Sequence, residues 1–210
     1  MLFYPDNRAF FEGLHLSDVS PIWNPECFGN TSVANGKVWP YLNVEQRRYR
    51  FRLLNACNSR FLILKLDRQR LPFWQIGADG GFLPAPVQLD QLLIGPAERA
   101  DVIVDFTALP VGTEVVLQNI GPDEPFGGGV PGVDFDSADP EGTGLVLQFR
   151  VVPATSRDTS TPPQQLVLPS RQPLPTASRT RLVSINEEES ETVLVGAHPG
   201  HGHRKHQQQT

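Results

Sequence analysis

The stretch RYRFRLLN, residues 48–55, limits what this chain can become more than any other feature. Tyr49, Phe51 and Leu53 alternate with Arg48, Arg50 and Arg52, and a period of two belongs to a strand with one buried face. Similar runs recur as FLILKLD (61–67), PFWQIG (72–77), QLLIG (91–95), DVIVDF (101–106), EVVLQN (114–119) and LVLQFRV (145–151). Between them lie turn clusters such as NACNSR (55–60) and ADGG (78–81), where Gly80 and Gly81 can take positive φ. The pattern predicts roughly seven or eight short strands, about 10–12 residues apart, without a helical period of useful length. That spacing indicates an all-β fold, an antiparallel sandwich or Greek-key barrel.

The distribution of large side chains sets the extent of this fold. Every Phe, Trp and Tyr lies between Phe3 and Phe149, and residues 150–210 hold none. A segment without aromatic rings has little apolar area to offset its ordering entropy. The core is therefore expected within residues 28–152. Residues 1–27 read as an extended lead-in, broken by Pro5, Pro21 and Pro25. Residues 153–179 read as a proline-rich linker. Residues 180–210 read as a stub of a further domain or a disordered histidine-rich tail. Within it TRLVSI (180–185) and ETVLVG (191–196) are able to pair as a hairpin, a unit marginal by itself.

One connection is long. Residues 120–144 hold seven glycines, four prolines and six acidic residues. Asp134, Asp136 and Asp139 raise the question of calcium, but the spacing of a calcium-binding loop is missing. A solvated, flexible loop is the expectation.

The segment 28–152 offers little chemistry. It has no histidine, no nucleophile elbow, no Walker A sequence and no dinucleotide loop. Asp79, Glu98, Asp101 and Asp105 are expected to cap turns or meet arginines across strands. Cys27 and Cys57 match no zinc pattern and no disulfide framework, and read as two free thiols. Fifteen arginines are scattered along a chain of net charge −5, so no basic stripe points to nucleic acid. No run approaches the about 18 apolar residues of a membrane helix, and MLFYPDNRAFFEG lacks the apolar centre of a signal peptide. The chain is expected to be soluble, cytoplasmic as encoded, with no membrane and no nucleic acid among its partners.

Several ordered phrases are more specific. NGKVWP, YRFRLLN, DGG-x-L-P-x-P and GPAERADVIVDF, followed by LVLQFRV, resemble the middle cupredoxin domain of multicopper oxidases. The branch they are most similar to is that of bacterial spore-coat laccases and bilirubin oxidases. The resemblance covers about residues 28–152. It implies a cupredoxin-like, plastocyanin-like Greek-key barrel that binds no copper and holds two copper-binding domains in register. It further implies a parent enzyme that oxidises phenols, pigments or metal ions and reduces dioxygen to water. Family members of this kind are often secreted, periplasmic or part of the spore coat. The first domain's histidine motifs and the terminal H-C-H-x-x-x-H are missing here, so the chain by itself is expected to be inactive. Cys27 sits where some spore-coat laccases have a disulfide cysteine, but the long loop supplies no partner, and that disulfide is not carried over.

The run HPGHGHRKH (198–206) holds four of the five histidines. In the resemblance, the third domain opens with H-P-x-H-x-H, and His198, His201 and His203 satisfy that pattern. Gly200 and Gly202 weaken a strand there. Three readings stay open: a disordered tail, an orphaned set of copper ligands, and a metal-binding tail working through neutral imidazoles.

The expectation is thus a copper-free middle domain, a fragment of a multicopper oxidase with a stub of the third domain. Its partners are flanking cupredoxin domains or another chain supplying them, and self-association is possible. The alternatives are a free-standing cupredoxin-like binding module and a copper-binding protein acting through His198, His201 and His203.

Overall fold

The computed structural model describes residues 3–4, 22–23, 27–68, 71–170 and 173–184. The chain divides into two compact units, Pro25–Pro175 and a second made of Met1–Asn24 with Thr176–Thr210. In the second unit, β1 (Phe3–Tyr4) and β2 (Ile22–Trp23) pair antiparallel. Residues 180–184 carry no strand; the rest of the expected hairpin lies outside the described residues.

The first unit is a β-sandwich. After β3 (Val33–Ala34) and β4 (Lys37–Val38), its strands are β5 (Tyr41–Glu45), β6 (Arg48–Leu54), β7 (Leu62–Leu66), β8 (Phe73–Ala78), β9 (Gly81–Leu89), β10 (Gln91–Ile94), β11 (Arg99–Asp105), β12 (Glu114–Asn119) and β13 (Leu145–Val152). One sheet runs β10-β7-β12-β13-β5 and the other β6-β11-β8-β9. All pairs are antiparallel except β5 with β13, which is parallel. The described residues contain no α-helix, only a 3₁₀ turn at Pro163–Gln165.

Alternation explains the core. Val102 and Val104 of β11, Phe73 of β8 and Tyr49, Phe51 and Leu53 of β6 meet Leu64, Leu66, Val115, Leu117, Phe149 and Val151 from the other sheet. Each fully buried aliphatic or aromatic side chain contributes about 1.5–3 kcal/mol. Phe106 joins the halves, with its ring 5.9 Å from Tyr49 and 5.2 Å from Phe149.

Two strands escape the period-two reading. In β9, Phe73 pairs with Leu89 and Gly77 with Phe82, and the register slips between. Pro84 and Pro86 fall in that slip on an edge strand, where a missing N–H breaks no ladder. In β5, only Val44 is buried, so nothing alternates. The β3–β4 hairpin turns at Asn35 and Gly36, with φ of 49° and 79°, the left-handed values of a two-residue hairpin turn.

The long connection 120–144 is folded, in contrast to the expected flexible loop. Phe126 packs on Phe61 at 5.3 Å and on Phe135 at 5.6 Å. The Ala138 N–H donates to the Gly121 carbonyl at 2.8 Å. Gly121 lies so close to Phe61 and Ile63 that a Cβ would come within 3.1 Å of their backbones. Arg60, only 8 % exposed, pairs with Asp123 at 3.1 Å and donates to the Gly29 carbonyl at 2.8 Å. The glycines and acidic residues suggested mobility; the aromatic side chains and Arg60 fix the path.

Candidate functional site

The residues with chemical potential fall into three groups. His198, His201 and His203 lie outside the described residues. Cys27 and Cys57 are both free and partly buried. The Cys27 N–H donates to Ser59 Oγ and the Cys57 N–H to Asn55 Oδ1. Burial pushes the Cys57 thiol up and so disfavours the thiolate a metal would need, while the nearby Arg60 charge works in the other direction.

The carboxylates are engaged structurally. Arg48 Nε donates to Asp105 Oδ2 at 2.9 Å, and Asp105 also accepts from the Thr107 N–H and hydroxyl. Asp101 pairs with Arg50, and Asp79 with Arg99 at 2.8 Å. Glu98 accepts from the Gly95 N–H at 2.6 Å. In the long loop, Asp134 accepts from the Val130 N–H and Asp139 from that of Glu141. Among the described residues, no group of three or more His, Cys, Asp or Glu could hold a metal ion. These side chains do not fit a copper centre. Among the described residues, no helix is long and apolar enough to cross a membrane.

Part of the stretch expected to form a linker, 155–168, binds the sandwich instead, as a strap over the end of β5, the β5–β6 turn and β6. The Thr155 N–H and hydroxyl donate to Glu45, and Arg47 Nη2 donates to the Ser156 carbonyl and hydroxyl. Asp158 Oδ2 takes the backbone N–H of Arg48 at 2.9 Å, in the place where another strand would bond. Partial burial works to raise the Asp158 pKa, but the N–H groups of Arg48 and Ser160, the Ser160 hydroxyl and the Arg48 charge outweigh it and hold it at about 2. The Thr155 N–H and hydroxyl likewise lower Glu45.

Beyond the strap's polar half, Pro163 is fully buried. Leu166 and Leu168 then close a groove of about 360 Å³ over Ile76, Phe82 and Ile103. This explains how Ile76 and Ile103 are buried although they stand outside the central cluster. A larger, open cleft of about 730 Å³ is lined by Lys65, Arg68, Leu71, Trp74 and Asp90. Nothing in the composition of 153–170 signals the strap. The one local hint is Asp158-Thr159-Ser160, an Asx-type turn in which Ser160 N–H meets Asp158 Oδ1 at 2.8 Å.

The β3–β4 hairpin and the start of β5 are bare. Val33 is 60 % exposed, Val38 53 %, Trp39 46 %, Tyr41 58 % and Leu42 41 %. Trp39 sits at φ 41°, in the left-handed region. The Arg150 guanidinium lies 4.0 Å from the Tyr41 ring centre and is the one described cation stacked on this edge.

No protein-family model matches the chain. Individual proteins do. It is 43 % identical over 146 residues to multicopper oxidase LPR1 homolog 5 of Oryza sativa subsp. japonica, a match covering 69 % of this chain and 22 % of that protein. It is 38 % identical over 203 residues to a laccase of Bacillus stratosphericus, covering 96 % of this chain and 35 % of the laccase. Among solved structures, McoA multicopper oxidase from the hyperthermophile Aquifex aeolicus superposes with a TM-score of 0.57 at 32 % identity, over 76 % of this chain and 34 % of that one. The chain thus spans about a fifth to a third of the length of these relatives.

Proposed function

The chain belongs to the multicopper oxidase family, and on that premise we propose that its sandwich is the copper-free middle domain, which holds neighbouring copper-binding domains in register. The observation that carries this reading is the pairing of family-level identity with a barrel whose described residues gather no metal-ligand cluster. Residues 28–152 are the domain proper, and the strap within 153–170 packs back on it. The longer protein is an oxidase of phenolic, pigment or metal-ion substrates, of the laccase or bilirubin oxidase kind, which passes electrons through copper to dioxygen.

In this reading His198, His201 and His203 serve a copper site only together with ligands from other segments. Cu(II) binding needs neutral imidazoles and, for a blue centre, a thiolate. Neither Cys27 nor Cys57 has a histidine neighbour in sequence. Copper titration of the full chain against one ending at Gly196 measures the tail's share; equal affinities would remove these three residues from the account.

The reading is tested by purifying the 210-residue chain in the presence of copper and recording bound copper, visible absorption and oxidation of a phenolic dye. The expected result is no blue band and no turnover above free copper. A blue band with turnover contradicts it.

A further inference from the structure

The stretch from Thr31 to Val44 carries a single charged residue, Lys37. Five of its large apolar side chains stand between 41 % and 60 % exposed, on the β3–β4 hairpin and the adjoining strand β5. Scattered exposed apolar residues are ordinary, but five clustered within ten residues, with the Arg150 guanidinium on Tyr41 as the one described cation stacked there, have the make-up of an interface centre, where aromatic residues and arginine are enriched. The backbone adds a second observation. A tryptophan in the left-handed region costs about 1–2 kcal/mol, and here the strain leaves the Trp39 ring half exposed.

The third observation is the edge itself. Strand β5 pairs with β13 on one side, and among the described residues no strand lies on its other side. Strand β6 is also an edge, but the strap occupies it and Asp158 takes its Arg48 N–H. Strand β9 is blunted by Pro84 and Pro86, and the fourth edge, β10, is four residues long. An edge left open beside an apolar patch is suited to receive protein.

We infer that the β3–β4 hairpin and β5, with Trp39, Tyr41 and Leu42 at the centre, form the seat for a neighbouring apolar β-domain of the same longer oxidase polypeptide. The match to the Bacillus stratosphericus laccase takes in 96 % of this chain, so it reaches the seat, yet only 35 % of the laccase. The remainder of such a polypeptide supplies the occupant. The inference rests on the reading of the chain as one domain of a longer oxidase.

The test is a hybrid Bacillus stratosphericus laccase in which this chain replaces the segment it matches, compared with the free 210-residue chain by hydrogen exchange. In a hybrid that takes up copper and oxidises a phenolic dye, amides 33–43 should exchange at least about tenfold slower than in the free chain, while those of 126–136 stay unchanged. The variant Trp39→Ser should lower the melting temperature of the hybrid but not that of the free chain. An active hybrid with unchanged exchange at 33–43 overturns the seat and leaves the domain reading standing. A hybrid that takes up no copper overturns the domain reading and the seat with it. Protection of 33–43 in the free chain that grows with concentration assigns the seat to a second copy and overturns the inference as stated.

Discussion

Strands β5 and β6 are edges of the same sandwich, and the chain treats them in opposite ways. Where β5 turns into β6, a strap that looks like a linker pairs Thr155 with Glu45 at the end of β5, Ser156 with Arg47 in the turn, and Asp158 and Ser160 with Arg48 at the start of β6. Its apolar end then buries Ile76 and Ile103 on the outer face of the sheet. Along β5, Tyr41 and Leu42 face solvent beside a strained Trp39. An unpaired edge invites pairing with other chains, and sealing it is the usual remedy. The difference teaches that exposure at the start of β5 is not a general defect of a small barrel, because the same chain covers the start of β6. What is left open is better understood as surface meant for a partner.

If the two edges differ only outside the core, a core substitution should weaken both alike. Phe106 touches Tyr49 of β6 and Phe149 of β13, the neighbour of β5. Phe106→Ala should cost about 3–5 kcal/mol, read as one cooperative urea transition. Separate transitions for the two edges would break the comparison.

A smaller effect is expected from Asp158→Asn, confined to the sealed edge. The carboxylate is partly open to solvent, so the loss should be about 1 kcal/mol after allowance for screening. Its folded pKa of about 2 lies below the ordinary 3.8, so its contribution is present above 3.8 and is lost as the pH falls through about 2. Urea midpoints of the wild type and Asp158→Asn should therefore differ at about pH 5 and converge near about pH 2. Proteolysis within 153–160 should be faster in the variant.

The smallest effect is expected at the open edge. Trp39→Gly relieves left-handed strain but adds unfolded-chain entropy, each about 1 kcal/mol, so the free chain's stability should change by less than about 1 kcal/mol. A large loss in urea unfolding would mean that Trp39 packs within the chain, and the contrast between the edges would fail.

The legible parts of the sequence are those where side chains face two different media. RYRFRLLN is half buried and its alternation survives as β6, whereas in β11 Val102 and Val104 are buried as read and Ile103 is buried too, beside the strap. The arginine–carboxylate pairs across those strands were legible for the same reason, since Arg48 opposes Asp105 directly. Strand β5 was hidden because its outward residues are apolar, so burial and hydropathy part company there. Strand β9 was hidden by prolines that mark an edge as well as a break. The turn Asn35-Gly36 carried a hairpin signal between two-residue strands, Val33–Ala34 and Lys37–Val38, too short for a period-two scan. The strap was illegible because its polar and proline-rich composition is also that of a linker; only the pairing of Asp158 with a distant backbone N–H distinguishes the two. The long loop's glycines outweighed Phe126 and Phe135 in the reading, although those rings anchor it.

The contrast between the edges is tested most directly by residue-resolved hydrogen exchange on the free 210-residue chain in dilute solution. The amide of Arg48, held by Asp158 at 2.9 Å, should exchange at least about 100-fold slower than those of Tyr41 and Asn43 on the open edge. Equal exchange at the two edges would contradict the account.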